Sequence, residues 1–386
     1  MLNPKEINNI RFVENPRSFS SEIPYFLSQE DTAQVRRLHY SLMRYCPTPL
    51  YDMKALASQL GLGSVLVKDE SRRFGLKAFK GLGGIYAVFR AICEYFGLDP
   101  NTCTINDLNV YPDVRNNLRK LELVTATDGN HGKGVSWAAG MLGCRAHVFM
   151  PKGSLEVRAQ AIRDAGGAEV EILDLGYDDA VRYADRMARE RGWLLIQDTS
   201  WEGYEEVPRW IIQGYSTMVY ESVDQMKALG YDRPTHVFLQ AGVGAMAGGV
   251  LGVLRNLYAD QMPEVVIAEP KEAACIYESI AANDGQPHAA TGNGETIMAG
   301  LNCGEPCLIT WPTIRDTAAW SFSCPDSVSV LGTRVLQDRR GTDMPVESGE
   351  SGSVTTGLLV TLCTDPAFAE IRQKMGLDEN SVVYLI

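Results

Sequence analysis

The chain has 386 residues, more than one hydrophobic core usually serves, and is 45% apolar and 22% charged, the make-up of a globular protein rather than a disordered or fibrous one. Its net charge of −12 disfavours non-specific binding to nucleic acid or to an anionic membrane. No apolar run approaches the roughly 18 residues that span a bilayer, the stretch Met1 to Arg17 lacks a signal-peptide apolar region, and the nine cysteines show neither CxxC pairs nor zinc spacing, so buried thiols in a reducing cytoplasm are expected, with no metal site.

The first stretch with chemical character is Val67-Lys68-Asp69-Glu70-Ser71, then Phe74-Gly75, then Ala78-Phe79-Lys80-Gly81. A strand ending in charge leads to a lysine at the mouth of a helix that begins near Gly81. A lysine forms a Schiff base only as a neutral amine, which requires partial burial or nearby positive charge. Lys80 stands beside Phe79 and glycines, and Lys68, Arg72, Arg73 and Lys77 crowd the same stretch. Taken alone it would read as a solvated basic loop. Next comes a polar segment, 97–120, with two prolines and several Asn and Asp, which reads as a surface insertion.

From residue 121 strands and helices alternate. Leu121 to Thr127 reads as a buried strand, Gly132 to Leu142 as a helix, Arg145 to Met150 as a strand and Leu155 to Ala165 as a helix closed by Gly166-Gly167. Ala168 to Leu173 and Trp193 to Gln197 read as strands around the amphipathic helix Asp178 to Arg191. This rhythm predicts a parallel sheet covered by helices. At the first strand end stands Thr125-Ala126-Thr127-Asp128-Gly129-Asn130-His131-Gly132-Lys133-Gly134. Its glycines free the backbone to approach a ligand, and Asn130 offers a donor and an acceptor. His131 reads equally well as a structural or a catalytic histidine. A second strand end, Gln197-Asp198-Thr199-Ser200-Trp201-Glu202-Gly203-Tyr204, supplies a carboxylate that could also serve as a helix N-cap.

The rhythm resumes with a long helix, Val207 to Leu229, and the apolar strand Thr235 to Gln240, which runs into Ala241-Gly242-Val243-Gly244-Ala245-Met246-Ala247-Gly248. A helix, Ala245 to Leu257, and a strand, Glu264 to Glu269, follow. A glycine turn that opens a helix points free N–H groups at an anion, and a phosphate is the natural guest. Gly242, Gly244 and Gly248 also imitate a dinucleotide fingerprint with one residue too many, and Glu269 stands where that motif has its ribose acid. Its position deep in the chain counts against that alternative.

A lysine, a strand-end Asn and a phosphate turn fit one ligand, and together they resemble the fold-type II pyridoxal-phosphate enzymes, the tryptophan synthase β-like family. Ala78-Phe79-Lys80 stands where that family has Ser-Phe-Lys, Gly129-Asn130-His131-Gly132 where it has Gly-Asn-His-Gly, and Gly242 to Met246 where it has a tetraglycine loop. The resemblance runs from Thr48-Pro49-Leu50 to the C-terminus. It implies an α/β fold of two lobes, each with a mainly parallel sheet flanked by helices, and an active site in the cleft between them. The large cofactor-binding domain is expected over 1–84 and 203–386, the small one over 85–202. Lys80 would bond pyridoxal 5'-phosphate (PLP), and Phe79, Asn130, Gly242, Val243, Gly244, Ala245, Met246 and Ser351 would surround it. Val243 and Ala245 replace glycines common in the family. The ring-nitrogen partner is expected from Glu350-Ser351-Gly352-Ser353, or from a Ser/Thr-Glu-Gly segment after the final strand, Ser381 to Ile386, beyond which the sequence does not continue.

Within the family, dehydratases of serine and threonine usually carry a small residue where Asp128 stands. Asp128 and Asp198 together suit a substrate with a second ammonium and can act as bases. The strings around Lys80, 125–134, 197–204 and Gly294 to Gly304, and the insertion at 97–120, resemble the diaminopropionate ammonia-lyases. That resemblance implies α,β-elimination of D- and L-2,3-diaminopropionate to pyruvate and ammonia. Asp128 would take the Cα proton of the D-isomer and Asp198, with Lys80, that of the L-isomer. A homodimer in the cytoplasm is expected. Rival expectations are a serine/threonine-type dehydratase or other β-eliminating enzyme, an oxidoreductase built on the turn at 242–248, and a non-catalytic binding protein. Cys275 and Cys303 flank the expected cleft and read more readily as two thiols than as a disulfide.

Overall fold

A computed structural model describes residues 4–43, 45–108, 110–127 and 129–386; Asp128 lies outside the described residues. These group into two compact units, the first drawn from 1–28, 48–71 and 219–386, the second from 29–47 and 72–218. The limits differ from the expected ones. Residues 29–47, 72–84 and 203–218 fall in the second unit, and the helix Glu206–Ala228 supplies residues to both units.

Among the described residues twelve strands form two sheets: β1 (Lys5–Ile7), β2 (Ile10–Glu14), β3 (Leu50–Asp52), β4 (Ser64–Lys68), β5 (Glu122–Ala126), β6 (Arg145–Met150), β7 (Glu169–Ile172), β8 (Leu194–Leu195), β9 (His236–Gln240), β10 (Glu264–Pro270), β11 (Trp320–Cys324) and β12 (Val382–Leu385). The first unit holds eight of them in the order β1-β2-β11-β10-β9-β12-β4-β3. Its centre is parallel, as the buried runs Val237-Phe238-Leu239 and Val265-Val266-Ile267 lead one to expect of strands covered on both faces. Its margins, where β1 pairs β2, β2 pairs β11 and β3 pairs β4, are antiparallel. Strand β12 runs between β9 and β4, with Val383 opposite both His236 and Val65. The core of this unit gathers Phe12, Val67, Phe238, Phe322, Leu358 and Val383.

The second unit holds the parallel sheet β7-β6-β5-β8. Strand β8 has two residues where five were expected, because the Gln197 N–H is bonded to the Tyr204 hydroxyl at 2.9 Å instead of to a neighbouring strand. The polar insertion is not a bare loop: Ile105–Leu108 and Pro112–Leu118 are helical and bury Leu108, Val114 and Leu118. Two helices meet at their glycines. A Cβ on Gly84, in the helix Lys80–Phe96, would stand 2.9 Å from the Gly134 backbone, and one on Gly134, in the helix Asn130–Leu142, 3.0 Å from the Lys80 carbonyl oxygen. This backbone contact fixes where the first turns of both helices lie. Among the described residues no helix is long and apolar enough to cross a membrane.

Candidate active site

In the second unit, Lys80 is the first residue of its helix. The turn before it holds Phe74 and Lys77 in the left-handed region (φ 52° and 57°), a conformation that costs a non-glycine residue energy. Stacking offsets this: Phe74 lies on Trp137 at 4.6 Å, and Phe79 meets Tyr215 edge-on at 5.0 Å. Lys80, with its side chain 24% exposed, donates from Nζ to Asp198 Oδ2 at 2.7 Å. The side chain of Asp198 is 12% exposed and caps no helix, since the next begins at Glu206.

Three groups define the setting of Asp198. Burial by itself would push its carboxyl up, but the positive charges of His131 and Lys80 outweigh that and hold it down at about 2. His131, buried, donates from Nε2 to the Ile196 carbonyl at 2.7 Å, and its Nδ1 lies 3.6 Å from Asp198 Oδ2. Gln197 places its Nε2 3.5 Å from Asp198 Oδ1, while its Oε1 accepts from Thr125 and from the Ala126 N–H at 3.0 Å each. The turn after Asp198 is fastened by Tyr204, whose hydroxyl donates to Leu195 O and whose ring stacks on Trp201. Asn130 opens the neighbouring helix and is exposed. Gly132 and Gly134 are required by packing: a Cβ at Gly132 would meet Thr127 at 2.3 Å and one at Gly134 the Lys80 carbonyl oxygen at 3.0 Å. His131 and Tyr204 therefore belong to the site more firmly than the sequence indicated. The signal for Tyr204 was a tyrosine spaced to reach back across a tight turn.

In the first unit, the turn after β9 leads into the helix Ala245–Tyr258 through Gly244 at φ 86°. An alanine there would be strained, and its Cβ would meet Ile314 at 2.7 Å. The N–H groups of Val243, Gly244, Ala245 and Met246 donate to no protein acceptor among the described residues. The carbonyls are braced from behind: the Cys307 N–H on Val243 O at 2.7 Å, the Thr310 hydroxyl on Gly244 O at 3.2 Å and the Cys275 thiol on Gly242 O at 3.4 Å. A rigid row of outward N–H groups at the positive end of a 14-residue helix fits a phosphate dianion. Val243 and Ala245 do not impair it, because only backbone is offered.

Ser351, near the start of the helix Glu350–Thr364, accepts from the Gly300 N–H at 3.1 Å and keeps its own proton to donate. The Ser353 hydroxyl is buried against Ser329 and Thr333. Of the two serines, Ser351 is thus the one able to serve a ring nitrogen. Glu269 is not a ribose ligand: both its oxygens are taken, by the Ile276 and Tyr277 N–H groups at 2.8 and 2.7 Å, and burial pushes its carboxyl up to about 8. Cys275 and Cys303 are both free thiols. Among the described residues no group of His, Cys, Asp and Glu could hold a metal ion.

A lysine paired with a carboxylate in one unit and a phosphate turn in the other are the parts a PLP enzyme needs. The family model described as pyridoxal-phosphate dependent enzyme matches residues 42–355, and the chain belongs to that family. It is 47% identical to diaminopropionate ammonia-lyase of Salmonella typhimurium over 92% of this chain and 87% of that one. The crystal structure of Escherichia coli diaminopropionate ammonia-lyase in complex with an aminoacrylate-PLP azomethine reaction intermediate matches with a TM-score of 0.88 at 42% identity, over 99% of this chain and 93% of that one. L-Threonine dehydratase of Salmonella typhimurium is more distant, 28% identical over 61% of this chain and 38% of its own.

Proposed function

We propose that this enzyme catalyses the PLP-dependent α,β-elimination of D- and L-2,3-diaminopropionate, giving pyruvate and two ammonia. The observation that carries the reading is the Lys80–Asp198 pair at 2.7 Å, a carboxylate held ionised beside the lysine that would bear the cofactor. PLP, when bound, supplies an electron sink that makes the Cα proton of an amino acid removable. Lys80 would hold its carbonyl carbon, the N–H groups of 243–246 its phosphate, and Asn130, Phe79 and Ser351 its ring. Asp198, with Lys80, takes the Cα proton of the L-isomer; Asp128 takes that of the D-isomer. A carboxylate beside the substrate also favours the ammonium form of the β-amine, which is the form that leaves as ammonia. Asp198 is available as a base because the cations beside it, Lys80 and His131, keep it ionised until the proton is taken.

The kinship to the ammonia-lyases over most of the chain, against the shorter and weaker match to a threonine dehydratase, supports diaminopropionate over serine or threonine. Pyruvate release measured side by side from D- and L-diaminopropionate and from D- and L-serine tests it. Diaminopropionate should be turned over faster in both configurations; serine as the better substrate would move the enzyme to the dehydratases. Family kinship and the free thiols support a cytoplasmic homodimer, which sedimentation of the purified protein would read directly.

A further inference from the structure

We propose that His131 is a positioning residue for Asp198, the group that keeps this carboxylate ionised and aimed during turnover of the L-isomer. The inference rests on Asp198 acting as that base. Its starting point is a single hydrogen bond. A carbonyl oxygen only accepts, so the Ile196 contact at 2.7 Å requires a proton on Nε2 of His131. In the neutral ring Nδ1 is then a lone pair, and it lies 3.6 Å from an oxygen of Asp198. A lone pair facing a carboxylate inside protein is unfavourable, whereas a second proton on Nδ1 turns the contact into an attraction. The imidazole is thereby held as an imidazolium, with the Ile196 carbonyl accepting at Nε2 and the Asp198 carboxylate 3.6 Å from Nδ1.

Asp198 Oδ2 is shared. Lys80 approaches it at 2.7 Å from the helix Lys80–Phe96 and His131 at 3.6 Å from the helix Asn130–Leu142. Among the described residues the other polar groups at this turn are Gln197, Tyr204 and Tyr177, which carry no charge at neutral pH, and Asp185, a carboxylate that acts on Tyr204; Asp128 lies outside the described residues. Lys80 must release Asp198 whenever its amine is engaged with the cofactor. From that moment His131 is, among the described residues, the cation left beside Oδ2, and without it burial would drive Asp198 to take up a proton before the substrate offers one. The backbone contact between Gly134 and the Lys80 carbonyl keeps the two cations in register.

Two substitutions separate this role from simple packing. His131→Gln places an amide where Nε2 stands, so it keeps the bond to Ile196 and loses the 3.6 Å contact with Asp198; His131→Asn does the reverse. We expect His131→Gln to retain bound cofactor colour and thermal stability near wild type, yet to move the acid limb of kcat/KM for L-diaminopropionate upward by about one pH unit, the scale of one lost neighbouring charge. The D-isomer profile should stay in place, and His131→Asn should shift the limb less. Equal losses for both isomers with an unmoved acid limb would show a structural histidine and overturn the proposal. Asp198→Asn serves as the control: if it leaves L-turnover intact, the base assignment fails, whatever His131 does. Heteronuclear NMR of histidine-labelled wild-type enzyme adds a readout that needs neither turnover nor a variant. Both His131 nitrogens should be protonated at neutral pH, and one should lose its proton in Asp198→Asn; a neutral ring in the wild type would end the idea.

Discussion

The bond between Lys80 and Asp198 joins residues 118 positions apart, and it gives each a property neither has alone. The lysine gains an anchor; the aspartate stays ionised in a mostly buried place. Lys80→Ala should abolish the yellow absorbance of lysine-bound cofactor together with turnover, and persistence of that band would shift the assignment to Lys77. Asp198→Asn should lower kcat for the L-isomer by about 10²–10⁴, the usual scale for a lost general base, and much less for the D-isomer. The same carboxyl links pH to stability. Its folded value of about 2 lies below the unfolded value of about 3.9, so its pairing stabilises the fold above the latter and is lost as pH falls through the former. Acid unfolding followed by circular dichroism should be less steep in that window for Asp198→Asn. The types and order of these site residues were legible from sequence: a lysine after Ala-Phe, a strand-end Asp, an Asn-His pair. That His131 and Lys80 converge on one oxygen was not, because no local pattern encodes which strand ends are neighbours.

At the scale of elements, periodicity and turn chemistry were sufficient where an element is held by its own pattern. Arg145 to Met150 and the start of the helix at Ala245 fall where alternation and the glycine turn place them. They were insufficient where a side chain competes with the ladder, as Tyr204 does at the end of β8. Glycine spacing did not show which glycines packing requires: Gly134 lets the helices Lys80–Phe96 and Asn130–Leu142 touch. The contact is testable. Gly84→Ala must separate the helices Lys80–Phe96 and Asn130–Leu142 by several tenths of an ångström, with an expected loss of about 1–3 kcal/mol as for other overpacked sites. Thermal unfolding would register it, and because Lys80 moves with its helix, kcat should fall as well. Gly244→Ala should spare the fold more than the cofactor: strain at φ 86° would turn N–H groups away from the phosphate, and release of cofactor on dilution should quicken.

At the scale of the whole molecule, the sequence indicated two α/β bodies and a mainly parallel sheet in each, since strands alternating with helices admit little else. The boundaries between bodies were less legible. The Lys80 segment belongs with the residues that follow it, because its glycines are spent on the helices of 130–142 and 206–228, and no composition shift marks that choice. Strand order was not legible either. Nothing in Ser381 to Ile386 announces a central strand except that Val383, Tyr384 and Leu385 are all apolar and all become buried.

The place of β12 bears on how the protein is born. Strands β9 and β4 are the two walls of a slot that β12 fills, and every other strand among the described residues leaves the ribosome before it. Until then the first unit carries two unpaired strand edges, one of them made more than 300 residues earlier. The second unit's sheet, complete once Leu195 has emerged, faces no such wait. A nascent chain therefore carries a folded second unit and an open sheet in the first, a form that chaperones recognise and that strand edges elsewhere could invade. Released chains that stop just before Ser381 should have a second unit that resists protease while the first is cut, and chains that include β12 should resist in both.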